Sequence, residues 1–384
     1  MWVSQPKTKK IGMKNQILLY GNTRKSSDIL YFSGFSVHDD YFFFSLNGKK
    51  CALLSPLEIG RARRTSSLDK IFDYTDVCKA MPSKIPHNYF EALVFILKKH
   101  KVRSLEVPAD FPSSLLEKLR ERKFKVFVCD GDFFSEREVK SKYEISEISK
   151  ANAVASKCYE LVEDILRASK IVKGKLFYKN KPLTSEFLLT EIECLAISFG
   201  ADACDTICAS GEQACDPHEV GHGVISAHSL IVCDIFPRLR SSGYYGDMTR
   251  TFLKGEPTQK QIDLVGAVLN AQKLAFSKIR AGVDSSNIHK DVCDFFEKLG
   301  YATKQIKGKW GGFFHSTGHG LGLDVHEAPS IGLRKCVLEV GNVITVEPGL
   351  YYNGLGGCRI EDNVAVLKNG AKKLSHYHYN WIID

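Results

Sequence analysis

The chain has 384 residues, 44% apolar and 25% charged, and its 53 Lys and Arg outnumber 44 Asp and Glu to give a formal charge of +9. That length is more than one ordinary core holds and points to two domains, and the composition excludes disordered and fibrous classes. No apolar run is long enough to span a bilayer, and the start MWVSQPKTKKIGMKNQ carries charge without the apolar stretch of a secretory signal, so neither membrane nor export is expected.

The charge is uneven: residues 1–140 carry 25 Lys and Arg against 16 Asp and Glu, whereas 141–384 carry 28 of each. Clusters such as Lys7-Thr8-Lys9-Lys10 and Lys98-Lys99-His100-Lys101 lack interleaved aromatics, and acids are mixed among others of the set. They read as solvated helix faces and a basic terminus, and no nucleic-acid partner is expected. Twelve cysteines without a CxxC pair read as thiols in a reducing compartment, which places the chain in the cytoplasm.

In chain order, Phe42–Leu46 and Cys51–Leu54 flank Asn47-Gly48, a hairpin signal. Helical periodicity follows over Tyr89–Lys99, then a strand at Ser104–Val107, a helix from Pro112 through Arg122 and a strand at Lys125–Cys129. Strands alternating with helices predict a mixed sheet covered by helices, an α/β domain over residues 1–142. Asp39-Asp40 reads as a loop. Lys142–Ala168 opens the second domain, 143–384, with an apolar face of Ile145, Ile148, Ala151, Ala155, Cys158, Val162 and Ile165. Thr184 caps a helix to about Phe199, and further helices are expected over Thr258–Arg280 and Ser286–Leu299. Strands fall around Ile207–Ala209, Leu230–Phe236, Thr249–Leu253, Val343–Val346 and Asn363–Leu367, which makes this an α+β domain with a curved antiparallel sheet.

Acidic and imidazole side chains sit on these strands or beside them. Asp234 interrupts Leu230–Cys233, Asp247 precedes Met248–Phe252, Glu347 follows Val343–Val346, Glu361 precedes Asn363–Val366, and His319 lies in Gly318-His319-Gly320. Singly, each has an ordinary structural explanation: a turn-forming Asp, an exposed Glu beside Pro348, a loop histidine. Gly320 to Gly322 lacks the Lys and Ser/Thr of a phosphate loop. Together, four carboxylates on buried segments require a compensating charge. Oxygen and imidazole donors without thiolates suit manganese foremost, or cobalt, zinc or iron. Five donors are too many for one tetrahedral ion, and two divalent ions sharing carboxylates use them all with the charge balanced.

These segments resemble the pita-bread metallopeptidases, the family of methionine aminopeptidase, prolidase and Xaa-Pro aminopeptidase, over roughly residues 143–384. Residues 1–140 more loosely resemble the creatinase-type N-terminal domain of the proline-specific branch. The resemblance implies that Asp234 binds one metal ion, that Asp247 and Glu361 bridge both, and that His319 and Glu347 bind the second. Glu347, beside a metal-bridging hydroxide, would be the general acid/base. His326 would hydrogen-bond the scissile peptide or its oxyanion, His218 would contact substrate or leaving group, His315 matches the proline-specific branch, and Arg359 would orient Glu361 or meet a substrate carboxylate. Aromatics such as Tyr244, Tyr245 or Phe314 would face the prolyl ring.

Two intervals depart from the family pattern. Asp234 to Asp247 is two residues longer than usual, and an even insertion at a turn need not change which face the strand residues occupy. His218 to Asp234 is one shorter, which leaves His222 and His228 as competitors. The longer loop also puts Arg238 and Arg240 near the site. The function implied is a dinuclear metallo-exopeptidase acting on peptides with proline after the scissile bond, as Xaa-Pro aminopeptidase or dipeptidase, assembled as a homodimer. The alternatives are a methionine aminopeptidase-like peptidase and a non-catalytic binding protein on the same fold.

Overall fold

The computed structural model describes residues 15–306 and 308–384; the basic stretch at 7–10 lies outside them. Two compact units part between Ser135 and Glu136. The sequence boundary at 142 marks the start of the long helix. The residues just ahead of it already belong to the second unit, because Lys140 N donates to Gly341 O at 2.8 Å and Val139 bridges Asn342.

In the first unit the strand order is Lys70–Asp73, Lys49–Leu54, Tyr41–Leu46, Gln16–Gly21, Ser104–Val107, Lys125–Val128. The Asn47-Gly48 turn forms as expected, with Leu46 opposite Lys49. Alternation sends Leu19, Phe43 and Ala52 to a face covered by Ser27–Ser33 and Pro56–Thr65. Leu18, Phe42, Phe44 and Leu53 go to the other, under Tyr74–Ala80, Tyr89–Lys99 and Ser113–Glu121. With both faces covered, every residue of Tyr41–Leu46 is buried.

The second unit has two halves of the same build, each with two helices on an antiparallel sheet. Lys142–Ala168, capped by a Ser141/Glu144 capping box, and Ser185–Ser198 pack on Ile207–Ser210, Ile231–Ile235 and Met248–Lys254. Gln259–Lys278 and Ser285–Lys298 pack on the sheet ordered Glu327–Ile331, Gly318–Gly320, Val343–Val346, Asp362–Leu367, Gly370–Lys373. Ile231, Cys233, Ile235, Met248 and Phe252 face the first helix pair, and Ile344, Val346, Val364 and Val366 the second. Val232, Asp234, Thr249, Thr251, Thr345 and Ala365, which alternate with them, point the other way, toward the space between the sheets. The sheets meet where Glu361 N donates to Thr249 O at 3.1 Å and Thr251 Oγ1 to Arg359 O at 2.8 Å. Among the described residues no helix is long and apolar enough to cross a membrane.

Candidate metal centre

Register decides which side chains share the inner face. Asp234 lies opposite Thr249, and Asp247 is two residues before Thr249, so both aspartates face the same way on neighbouring strands. Within the connection between them Arg238–Leu239 pairs with Ala201–Asp202, and the two aspartates keep that shared face. In the second sheet Val346 pairs with Asp362, so continuing that register sets Glu347 opposite Glu361. His319 follows the same logic, with Gly320 opposite Ile344 and His319 N donating to Thr345 Oγ1 at 3.0 Å. Glycine flanks His319 for want of space: a Cβ on Gly318 would stand 2.0 Å from Thr345 O, and one on Gly320 2.4 Å from Glu327 O.

The result is convergence. Ligand atoms of Asp247, His319 and Glu361 lie within 4.8 Å of one another. His319 Nε2 is 3.7 Å from Asp247 Oδ2 and 3.5 Å from Glu347 Oε1. His319 Nδ1 donates to Gly320 O at 3.1 Å, which leaves the Nε2 lone pair facing the carboxylates, the tautomer a metal takes. Asp234 stands beside them, its Oδ2 held by Arg359 Nη2 at 2.7 Å. Thr249 Oγ1 donates to Glu361 Oε2 at 2.7 Å and accepts from Arg359 Nε at 3.2 Å. Among the described residues, Asp234 Oδ1 and Glu361 Oε1 are buried with no hydrogen-bond donor in reach. Orphaned carboxylate oxygens are costly, and cations would satisfy both. The donor set fits metal.

Electrostatics says the same. Burial, then the charges of Glu361, Asp234 and Glu347, pushes Asp247 well above the carboxylate range. Glu361 is raised likewise by burial and by Glu347 and Asp234. Burial lifts Glu347 to about 8 with Asp234 adding to it, and pushes His319 down to about 3 with help from His326. Without positive charge the cluster holds protons it would release to a dication.

The other predicted residues occupy the rim and the back. The His326 ring stands perpendicular to that of His319, centroids 4.3 Å apart. His218 is exposed on the loop after Gln213–Cys215, near enough for its charge to depress both His326 and His315. His315 is farther back: its Nδ1 donates to Ser316 O at 2.8 Å, and its Nε2 lies 3.0 Å from the Tyr351 hydroxyl. Arg359 spends its guanidinium inside the protein, on Asp234, Thr249 and the Tyr351 hydroxyl at 3.1 Å, which favours orientation over capture of a substrate carboxylate. The competitors are engaged elsewhere, His222 beside Glu219 at 3.3 Å and His228 accepting from Glu256 N at 2.9 Å. Arg240 donates to Asp202 at 2.7 Å and Tyr244 to Glu144 at 2.7 Å, so neither faces the cluster. Thr249, Tyr351, Asn152 and Asn363 escaped the sequence reading because their partners are distant in the chain. The nearest signal was alternation, which places Thr249 on the face of Asp247.

Asp247 owes its position to close backbone packing. Its N–H donates to Asn152 Oδ1 at 3.0 Å and Asn363 Oδ1 at 3.3 Å. A Cβ on Gly246 would stand 2.5 Å from Asn152 N and 2.6 Å from Ala151 C. Gly246→Ala therefore displaces helix or strand, at a cost of about 1–3 kcal/mol. A thermal melt should fall by several degrees and metal affinity should fall with it; unchanged affinity would show that Asp247 does not depend on this packing.

Comparisons with known proteins follow the same line. The model of metallopeptidase family M24 matches residues 146–368. The Xaa-Pro dipeptidase of Pyrococcus furiosus is 30% identical over 358 residues, 91% of each chain. That of Pyrococcus horikoshii is 32% identical over 300 residues, 76% of this chain and 79% of that protein. Among solved structures, prolidase from Pyrococcus furiosus aligns at a TM-score of 0.77 and 28% identity, covering 95% of this chain and 97% of that one. X-Pro aminopeptidase from Thermotoga maritima aligns at 0.81 and 23% identity, covering 96% and 97%.

Proposed function

Because the chain belongs to metallopeptidase family M24, with the pita-bread fold and within the prolidase branch, we propose that it is an exopeptidase cleaving between an N-terminal residue and proline. The observation that carries this is the convergence of Asp247, His319 and Glu361 within 4.8 Å, with Glu347 3.5 Å from His319. The substrate class is supported by two relatives called Xaa-Pro dipeptidase, which match 91% and 76% of the chain. Two divalent ions, manganese foremost, would be held by Asp234, Asp247, His319, Glu347 and Glu361, with Asp247 and Glu361 shared. When bound, they would polarise the scissile carbonyl and make hydroxide available from water near neutral pH.

The chain's own residues do the rest. Arg359 and Thr249 each occupy one oxygen of Asp234 and Glu361 and leave the other free for a cation. Glu347 accepts the proton of the attacking water and delivers it to the departing nitrogen. His326 donates to the oxygen of the scissile bond, and His218 meets the residue after it. His315 and Tyr351 brace Arg359 from behind. The first unit is read as a creatinase-type domain, the assembly as a homodimer, and the location as cytoplasmic, which twelve free thiols suit.

The test is a rate comparison of Ala-Pro, Ala-Pro-Ala and Met-Ala with added manganese, cobalt, zinc or iron. Cleavage before proline, lost on chelation, is expected. Faster cleavage of Met-Ala would move the chain to the methionine aminopeptidase branch, and absence of both metal and hydrolysis would leave a binding protein.

A further inference from the structure

His326 sits on a connection, residues 321–326, between strands that rejoin where Gly320 pairs with Glu327. The loop's backbone is tied by Leu321 N to Val343 O at 3.1 Å, Gly322 N to Asp324 O at 3.1 Å and Tyr245 N to Gly322 O at 2.9 Å. Its side chains are fastened from elsewhere. Arg137 Nη2 donates to Asp324 Oδ2 and to Glu327 Oε2, both at 2.6 Å, and Lys140 Nζ lies 2.6 Å from Glu327 Oε1. Two cations thus enclose one carboxylate, with Lys140 and Glu327 only 1% and 9% exposed. The segment bearing them is itself anchored: Asn342 Nδ2 donates to Glu138 O at 2.9 Å and Lys140 N to Gly341 O at 2.8 Å. That turn opens the strand Val343–Val346, which leads into Glu347.

We infer that Arg137 and Lys140 are positioning residues, which hold Glu327 and Asp324 on either side of His326 and so fix its ring over His319. The residues entering the second unit are therefore part of its catalytic geometry. A buried carboxylate enclosed by two cations has one low-energy arrangement, and the adjoining histidine inherits it. This rests on the proposed role of His326.

Lys140 is the poorer site to test, since its side chain is only 1% exposed and its removal opens an enclosed gap beside Glu327, whereas Arg137, 14% exposed, leaves a position that water can reach. Arg137→Gln in the full, metal-loaded chain should lower kcat on an Xaa-Pro peptide by about 10- to 100-fold, the range for groups that orient a functional residue, with KM within about twofold. Arg137→Lys should recover part of the loss. On a His326→Ala background, Arg137→Gln should cost nothing further, because its effect passes through that ring. Amide exchange over residues 321–328 should quicken in Arg137→Gln while the remainder of the second unit is unchanged. Wild-type kcat in Arg137→Gln, or a loss that multiplies with that of His326→Ala, would overturn the inference. Should the wild-type chain hydrolyse no peptide, the functional reading falls by itself, and the exchange experiment still decides whether the clasp holds the loop: unchanged exchange would sink it.

Discussion

Asp247→Ala should abolish hydrolysis of Xaa-Pro peptides, on the order of 10³-fold or more, while raising the melting temperature of the metal-free chain. The activity loss follows from position: a ligand atom of Asp247 is within 4.8 Å of ligand atoms on both His319 and Glu361. Losing a shared ligand removes several kcal/mol of charge stabilisation, and each 1.36 kcal/mol is tenfold in rate. The stability gain follows from the cost the carboxylate carries without metal, being buried among Glu361, Asp234 and Glu347. Alanine removes that repulsion, and the Asp247 N–H contacts to Asn152 and Asn363 belong to the backbone and persist. Opposite signs for activity and metal-free stability separate a ligand from a structural aspartate. Full activity in the variant, or a destabilised metal-free fold with normal metal content, would refute the shared role.

What the sequence reveals here depends on range. Elements written by local periodicity and caps are close to where the residues predict them: Tyr89–Lys99 and Lys142–Ala168 match at both ends, Thr184 is a cap as read, and the helix expected over Thr258–Arg280 runs Gln259–Lys278 with Thr258 as its cap. Short pieces without a periodic pattern escape, such as Ser27–Ser33 and the meander Lys170–Val172, Lys175–Tyr178, Lys181–Pro182. The five ligand candidates are legible because a charge on a buried strand is conspicuous. Their supports are not, because a threonine such as Thr249 or an asparagine such as Asn363 is unremarkable until a partner over a hundred residues away arrives. Arg137 is the extreme case: it reads as one more surface cation, yet it reaches Asp324 and Glu327 some 190 residues on.

Stability against pH gives the sharpest contrast between metal-free and metal-loaded protein. Glu347 holds its proton to about 8 in the fold against 4.5 ordinarily, and Asp247 and Glu361 are shifted the same way. Across that window the folded chain binds more protons than the unfolded one, so stability falls as pH rises. His319 and His315 act oppositely: depressed from 6.5 to about 3, they contribute stability that is lost as pH falls below 6.5. Between 4.5 and 6.5 the two sets partly cancel. Above 6.5 the histidines are neutral in both states and only the carboxyls contribute. The metal-free chain should therefore lose melting temperature steeply from pH 6.5 to 8, by on the order of several kcal/mol in stability. Saturating divalent ion should remove most of that slope, because the ions take the place of the protons and bind more tightly as the carboxyls ionise. A chelated chain whose melting temperature is flat from pH 6.5 to 8 would mean that the carboxyls do not share one enclosed space, and that ions are not what the strands bring them together to hold.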